Sequence, residues 1–580
     1  MLRRLALSTL SLVVLVATAA LILYPRLVLQ LVNRGDLPFF ALSIEDYAQA
    51  LAEGVWWPRW SASIAQGLGS PTFVYYPPLY FVSAALARAG LGDTWLAIRV
   101  LDLLASVAIG LVGWAFSRAA RFGYRPALLV AVVCMVSPFQ IRTLLEVSGL
   151  PWNFAYPFGL ALFCATLYPG CNARRAFVVW LATLLLTSTH LLMAFMCLLC
   201  LPVGLLVHAA QRSAWREIFV KGLACCAGFA AAAFAWLPAM SLNAYRNVAG
   251  YVQDVDWHAG FAMPFWNVQR YGIRWAYFQW GVAAVLLLNM VLLLYAMWRL
   301  RDVLSAPRWR FSLGMLACAG VALLFASQLT LPLWLASETL RSVQYAYRFF
   351  AVASLVVALL TGYLGVRSYV TLGWSGPTLA LSAAIAANGL LLAATVVNFA
   401  HGTPTTYSAI IPADLAQRSA VRAFLPAAAG NFGWQSYLQQ GGLSGECARQ
   451  GLTCTTELRS THRAAWHVSA QRDSVVVLPL LAFPAWSVSV NGNPTTASTD
   501  ARTGLVTVAL DKGDSRIAVR WDHLPQERLS LYVSLAGVVL PLLVLMGWAA
   551  KRRAAPDRAT LRPHTGGAGF ATGHTVKDES

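Results

Sequence analysis

Charge is scarce in this sequence: Asp, Glu, Lys and Arg make up 12% of the 580 residues, about half of what a soluble domain carries. Acidic side chains are scarcer still, 24 against 43 basic ones. With 58% of residues hydrophobic, too little polar material remains to cover a water-facing surface, which excludes soluble enzymes, coiled coils and disordered chains. The 10 cysteines fall mostly inside apolar runs, where a thiol is a small filler, so a secreted disulfide scaffold is excluded as well. No Cys/His spacing reads as zinc. The formal net charge of +19 gathers into no basic cluster interleaved with exposed stacking aromatics, and nucleic acid is excluded as a partner.

What fills the chain instead is apolar stretches long enough to cross about 30 Å of hydrocarbon. About twelve spans are predicted, near 5–31, 97–117, 126–140, 152–168, 176–188, 190–209, 219–238, 277–298, 311–335, 345–365, 376–398 and 529–549. With Arg3 and Arg4 cytosolic, Arg118/Arg121/Arg125, Arg174/Arg175, Arg212/Arg216/Lys221, Arg299/Arg301/Arg308/Arg310 and Lys551/Arg552/Arg553 all fall on the same side. One orientation, with both termini cytosolic, therefore satisfies the positive-inside rule. Ala17-Thr18-Ala19 resembles a signal-peptide cleavage site, but the apolar run is too long for an h-region and reads as an uncleaved first helix.

This orientation predicts a transmembrane domain over 1–398 with an exported loop at 32–96, an exported β-rich domain at 399–528, a last span at 529–549 and a disordered cytosolic tail at 550–580. The apolar stretch from Pro78 to Leu91 reads as interfacial or re-entrant, because a span there would move every later Arg cluster to the wrong face. In the β-rich region Trp466-His467-Val468, Ser474 to Leu478, Trp486 to Val490, Leu505 to Val508 and Arg516 to Arg520 alternate apolar with polar, and Asn491-Gly492 marks a turn. The expected fold is an α-helical polytopic membrane protein with a small β-sandwich-like domain. Cys447 and Cys454, the one pair on the exported side, are expected to form a disulfide.

The chemistry-bearing residues concentrate in the first exported loop, where Asp36, Glu45 and Asp46 stand among Trp56, Trp57, Trp60, Tyr75 and Tyr76. Two readings stand at this point: an interfacial aromatic belt with solvated carboxylates, or a site. Arg348, a few residues inside the tenth predicted span, either faces a cavity or snorkels to the interface. Asp254, Asp256 and His258 are candidate ligands for a divalent metal, alone or with Asp36, or else solvated loop residues. Glu146, His190 and Glu338 also lie near predicted exported helix ends.

The run Asp36, Glu45, Gly54, Pro58, Trp60, Gly67, Gly69 and Tyr76-Pro77-Pro78-Leu79 resembles the bacterial membrane proteins catalogued as pyruvoyl-tetrahydropterin synthase-related, which look like members of the GT-C superfamily of polyprenyl-phosphate-sugar glycosyltransferases. Thr189-His190-Leu191, Trp236-Leu237-Pro238, Gln344 to Phe349, Phe483 to Trp486 and Val490-Asn491-Gly492 are further echoes. One departure is Phe40, where the family commonly has His.

The resemblance implies a GT-C-like enzyme of a bacterial inner membrane. It would move a sugar from a polyprenyl-phosphate donor to an envelope glycan, lipid or protein acceptor. Asp36 would be the base, with Glu45 or Asp46 supporting it, Arg348 and Gln344 would hold the lipid phosphate, and Tyr76, Glu146 and His190 would line the substrate cavity. No cofactor is implied with certainty, a divalent metal being possible. The competing reading is a non-enzymatic carrier, flippase or assembly protein for envelope polysaccharide. A transporter predicts internal repeats with helices broken at matching positions, and none is visible.

Overall fold

The structure, a computed structural model, describes residues 2–28, 36–209, 215–247, 261, 273–400 and 424–554. Every predicted span is occupied by a helix, but fewer than twelve are long and apolar enough to cross a membrane. Among the described residues five meet that mark, Thr94–Ala119, Trp280–Leu300, Ala306–Ala326, Ala346–Leu372 and Gly376–Val397. The number becomes seven if two bent pairs each count as one: Tyr124–Met135 with Pro138–Leu145, bent by 48°, and Trp215–Ala231 with Ala233–Ser241, bent by 66°. The expectation of twelve is corrected by length: the 17 residues of Ala173–Thr189 rise about 26 Å, short of the hydrocarbon thickness. The chain is a multi-pass helical membrane protein in which short and bent helices pack beside full-length ones. The helix Phe350–Leu372 is the most enclosed, with 17 of its residues buried, among them Gly362, where a Cβ would come within 3.3 Å of the Val130 backbone.

In the first loop, the helix Leu37–Ala52 is followed by irregular chain, a short turn at Thr72–Tyr75 and the helix Leu79–Leu91. At 13 residues that last helix reaches about 20 Å and cannot span. It ends on Gly92 in the left-handed region, and the Asp93 side chain caps the next helix by accepting from the Leu96 amide at 2.6 Å. The chain thus breaks between the two helices at Gly92 and Asp93.

The β-rich domain has eight antiparallel strands: β1 (Thr453–Arg459), β2 (Arg463–Ala470), β3 (Ser474–Leu481), β4 (Trp486–Val490), β5 (Asn493–Thr495), β6 (Ser498–Thr499), β7 (Leu505–Leu510) and β8 (Gly513–Trp521). They form one sheet in the order β1-β2-β8-β4-β5 and another in the order β3-β7-β6. In β8 the period-two pattern sends Ser515, Ile517, Val519 and Trp521 inward and Arg516 and Arg520 outward. Asn491 and Gly492 both take positive φ, 51° and 84°, the geometry a tight β4–β5 hairpin requires. Cys447 and Cys454 form a disulfide that ties the helix Gly442–Gln450 to β1.

Domain and first loop are not merely tethered; their buried residues form one continuous hydrophobic core. Trp60, 1% exposed, sits edge-on against Trp486 at 5.0 Å and beside Trp521 at 5.5 Å. Gly69 makes room for it: at φ +83° a Cβ there would lie 2.0 Å from the Trp60 indole nitrogen. The Arg59 amide donates to His462 Nε2 at 3.1 Å, and its guanidinium pairs with Glu527 at 2.8 Å, both side chains being almost fully buried. The same guanidinium donates to the Phe73 carbonyl at 3.2 Å, so Arg59 joins the loop and the start of the last helix, Pro525–Ala554, through its side chain and the β-domain through its amide.

Candidate active site

Between the first loop and the helix ends lies a cavity of about 1000 Å³. Asp36 and Arg348, far apart in sequence, both line it, and so do Tyr76, His190, Gln344 and Glu338.

Asp36 occupies the position before the helix Leu37–Ala52, where an Asp ordinarily caps the first turn. Its side chain makes no capping hydrogen bond, and its amide donates to the Val147 carbonyl at 3.0 Å. That backbone bond ties Asp36, which lines the cavity, to the end of the π-turn at Val147. Tyr76 is set by rings: Phe39, Phe40 and Phe424 lie 6.4, 5.8 and 5.5 Å from it, and His190 lies 6.1 Å away. Phe40, at the position where the resembled family has His, is 3% exposed and packs on Tyr76, Tyr80 and Phe81, so it serves as aromatic wall.

Arg348, also in the cavity lining, belongs to the tight turn Ala346–Phe349 that leads into the helix Phe350–Leu372. Its guanidinium donates to the Val343 carbonyl at 2.8 Å and lies over Tyr345 at 5.1 Å and Trp152 at 6.0 Å. Arg348 lines the cavity. Gln344 holds a φ of +67°, a left-handed conformation uncommon for a residue with a side chain. Ser148 does the same at +55°, directly after the π-turn Thr143–Val147. Strain of this kind collects where function over-determines the backbone, and both positions sit on or next to the cavity lining.

Glu45 and Asp46 do not line the cavity, which corrects their expected role as supporting carboxylates. Helical spacing turns them away from Asp36. Glu45 pairs with Arg88 at 2.6 Å and accepts from the Thr94 hydroxyl. Asp46, 1% exposed, accepts from the Ser63 hydroxyl at 2.6 Å, the Ser63 amide at 3.0 Å and the Ser61 hydroxyl. Burial pushes its carboxyl above the ordinary range against those hydrogen bonds. Both carboxylates shape the loop. Glu146 falls in the π-turn with its side chain outside the described residues, where Asp254, Asp256 and His258 also lie. Among the described residues no group of three His, Cys, Asp or Glu converges as a metal site would.

The structure adds lining residues that sequence reading passed over, chiefly Trp152, Asn243 and Arg246, and Trp236 of the Trp236-Leu237-Pro238 element lines the cavity too. Trp152 follows Pro151 at a helix start, and Arg246 stands over the Tyr75 ring at 5.4 Å. Their signal was an aromatic or basic residue beside a predicted exported helix end. Behind the cavity, Arg26 and Asp102 form a fully buried pair at 2.6 Å, and Arg26 also donates to the Ser148 hydroxyl at 2.8 Å. That brace holds the strained Ser148 turn.

No family model matches the chain, and no curated protein matches it. Several solved structures align with it, among them the following two. One is the arabinofuranosyltransferase AftD from Mycobacteria, at 16% identity and a TM-score of 0.42 over 69% of this chain. The other is ArnT from Cupriavidus metallidurans bound to undecaprenyl phosphate, at 14% identity and a TM-score of 0.37 over 68% of this chain. The alignments cover 27% of the first and 76% of the second, so the chain spans about a quarter of AftD's length.

Proposed function

We propose that this chain is a membrane glycosyltransferase that moves a sugar from a polyprenyl-phosphate donor to an acceptor hydroxyl or amine of the cell envelope. The observation that carries the reading is one cavity lined by a carboxylate, Asp36, and a guanidinium, Arg348. Displacement at an anomeric carbon needs those two groups. A base accepts the proton of the attacking acceptor, and a cation meets the charge left on the phosphate as the sugar–oxygen bond breaks. Trp152, Tyr345 and Tyr347 offer flat faces for a sugar ring, and the run of Leu191, Leu192, Phe195, Leu198 and Leu199 along one wall suits a prenyl chain.

The pyruvoyl-tetrahydropterin synthase-related resemblance supports this reading through Asp36, Tyr76 and Pro77, which line the cavity. Trp60 and Gly69 of the same run seat the β-domain instead. In this reading the β-domain and the cavity face the exterior of a bacterial inner membrane, with both termini cytosolic. A periplasm-active reporter fused after about residue 440 is then active, and one fused after 560 is silent; the reverse pattern overturns the orientation.

The test of chemistry is transfer from a radiolabelled polyprenyl-phosphate sugar by the purified full-length protein. Asp36→Asn abolishes transfer in a folded protein, because the amide keeps the shape but cannot take the proton. Arg348→Lys lowers kcat/KM by at least about tenfold, since an ammonium lacks the planar fork that grips two phosphate oxygens. Full transfer activity of Asp36→Asn rejects the base assignment, and a wild type that transfers no sugar favours the carrier reading.

A further inference from the structure

The Thr189-His190-Leu191 element acquires a chemical role from its geometry. His190 ends the helix Ala173–Thr189 and stands at the N-cap of the next, the 19-residue Leu191–Ala209. Its Nδ1 accepts a hydrogen bond from the Met193 amide at 3.1 Å. A nitrogen that accepts carries no proton, so the neutral imidazole is held in the tautomer with its hydrogen on Nε2. The ring is 8% exposed, and the little surface it shows belongs to the cavity. Among the described residues nothing is hydrogen-bonded to Nε2, and His190 lines the cavity where substrate would lie, so this N–H is available to a ligand there.

Two further features share that place. The helix behind His190 begins at the cavity wall, Leu191 and Leu192 both lining it, and a helix of this length presents partial positive charge and surplus amide donors at its first turn. Trp152 joins the two sides, with the His190 ring 4.6 Å from it and the Arg348 guanidinium 6.0 Å from it.

We infer that His190 Nε2–H, the first turn of Leu191–Ala209 and Arg348 form one pocket for a phosphate monoester, with His190 acting as a fixed neutral donor and not as a base. The inference rests on the glycosyltransferase reading and extends it, since the pocket receives the lipid phosphate that the transferred sugar leaves behind. A neutral donor suits that step: it favours the oxygen that gains charge as the bond breaks and has no proton to lose to the acceptor.

The two nitrogens can be tested apart. His190→Asn places an amide oxygen where Nδ1 was, keeping the cap on Met193 and deleting the cavity donor. His190→Gln reaches the Nε2 position with an amide N–H and gives up the cap. Binding is measured on the full-length protein in nanodiscs, with undecaprenyl phosphate, undecaprenol and inorganic phosphate as probes. His190→Asn should weaken undecaprenyl phosphate binding at least about tenfold with an unchanged Tm. His190→Gln should retain affinity within about threefold of wild type at a lowered Tm, and undecaprenol should not distinguish the variants. Competition by inorganic phosphate in the wild type but not in His190→Asn would show that the headgroup alone is read; no competition in either would show that the lipid must deliver it. Wild-type affinity in His190→Asn overturns the pocket and leaves the glycosyltransferase reading standing if sugar transfer persists. A wild type that neither transfers sugar nor binds undecaprenyl phosphate overturns both.

Discussion

Acid should loosen the seat of the β-domain through one histidine. His462 is 6% exposed. Its Nε2 accepts from the Arg59 amide at 3.1 Å, which leaves the hydrogen on Nδ1, 3.0 Å from the Thr461 hydroxyl. Burial depresses its pKa from 6.5 to about 4. The facing charges divide, Glu53 and Glu527 favouring the imidazolium and His523 opposing it. A folded pKa below the unfolded one means that the unfolded chain binds the extra proton first. The contribution is therefore intact above pH 6.5, drains away as pH falls towards 4 and changes no further below. Over that window, at 1.36 kcal/mol per unit, about 3 kcal/mol of docking stability is lost. His462→Gln presents an acceptor oxygen to the Arg59 amide and does not titrate. Thermal melts of the full-length protein in detergent between pH 7.5 and 4 should show wild type losing Tm more steeply than His462→Gln below pH 6.5. Parallel curves would refute the argument, because carboxylates common to both proteins would then account for all the acid sensitivity.

Two further perturbations address the same joint. Glu527→Gln strands the buried Arg59 guanidinium and should cost about 3–5 kcal/mol, while the double variant Arg59→Met/Glu527→Leu recovers most of it; equal Tm for single and double variants contradicts the pairing. Gly69→Ala drives a Cβ into an indole wedged between Trp486 and Trp521 and should cost roughly 2–4 kcal/mol, read as faster proteolysis of the β-domain, with Gly54→Ala, which meets nothing within 4 Å, as the milder control.

Composition and period were enough to find the helices, the strands and the β4–β5 turn, because hydrocarbon and a two-faced sheet each impose a local rhythm on the chain. Asp36 and Arg348 were legible for a related reason: ionisable groups at apolar helix ends are costly unless they serve. What no local pattern carried was the use of each motif. Glu45 and Asp46 look as chemical as Asp36 in the sequence, and only packing turned them onto Arg88, Thr94, Ser61 and Ser63. Pro58-Arg59-Trp60 and Gly67-Leu68-Gly69 read as part of a site, yet the structure spends them on a β-domain some 400 residues later. The count of twelve spans is not confirmed either, since hydropathy marks a segment as apolar but does not show where its helix bends or ends. The sequence by itself determined which segments avoid water. The tertiary structure decided which polar groups meet, because a contact between distant residues is fixed by the packing of everything between them.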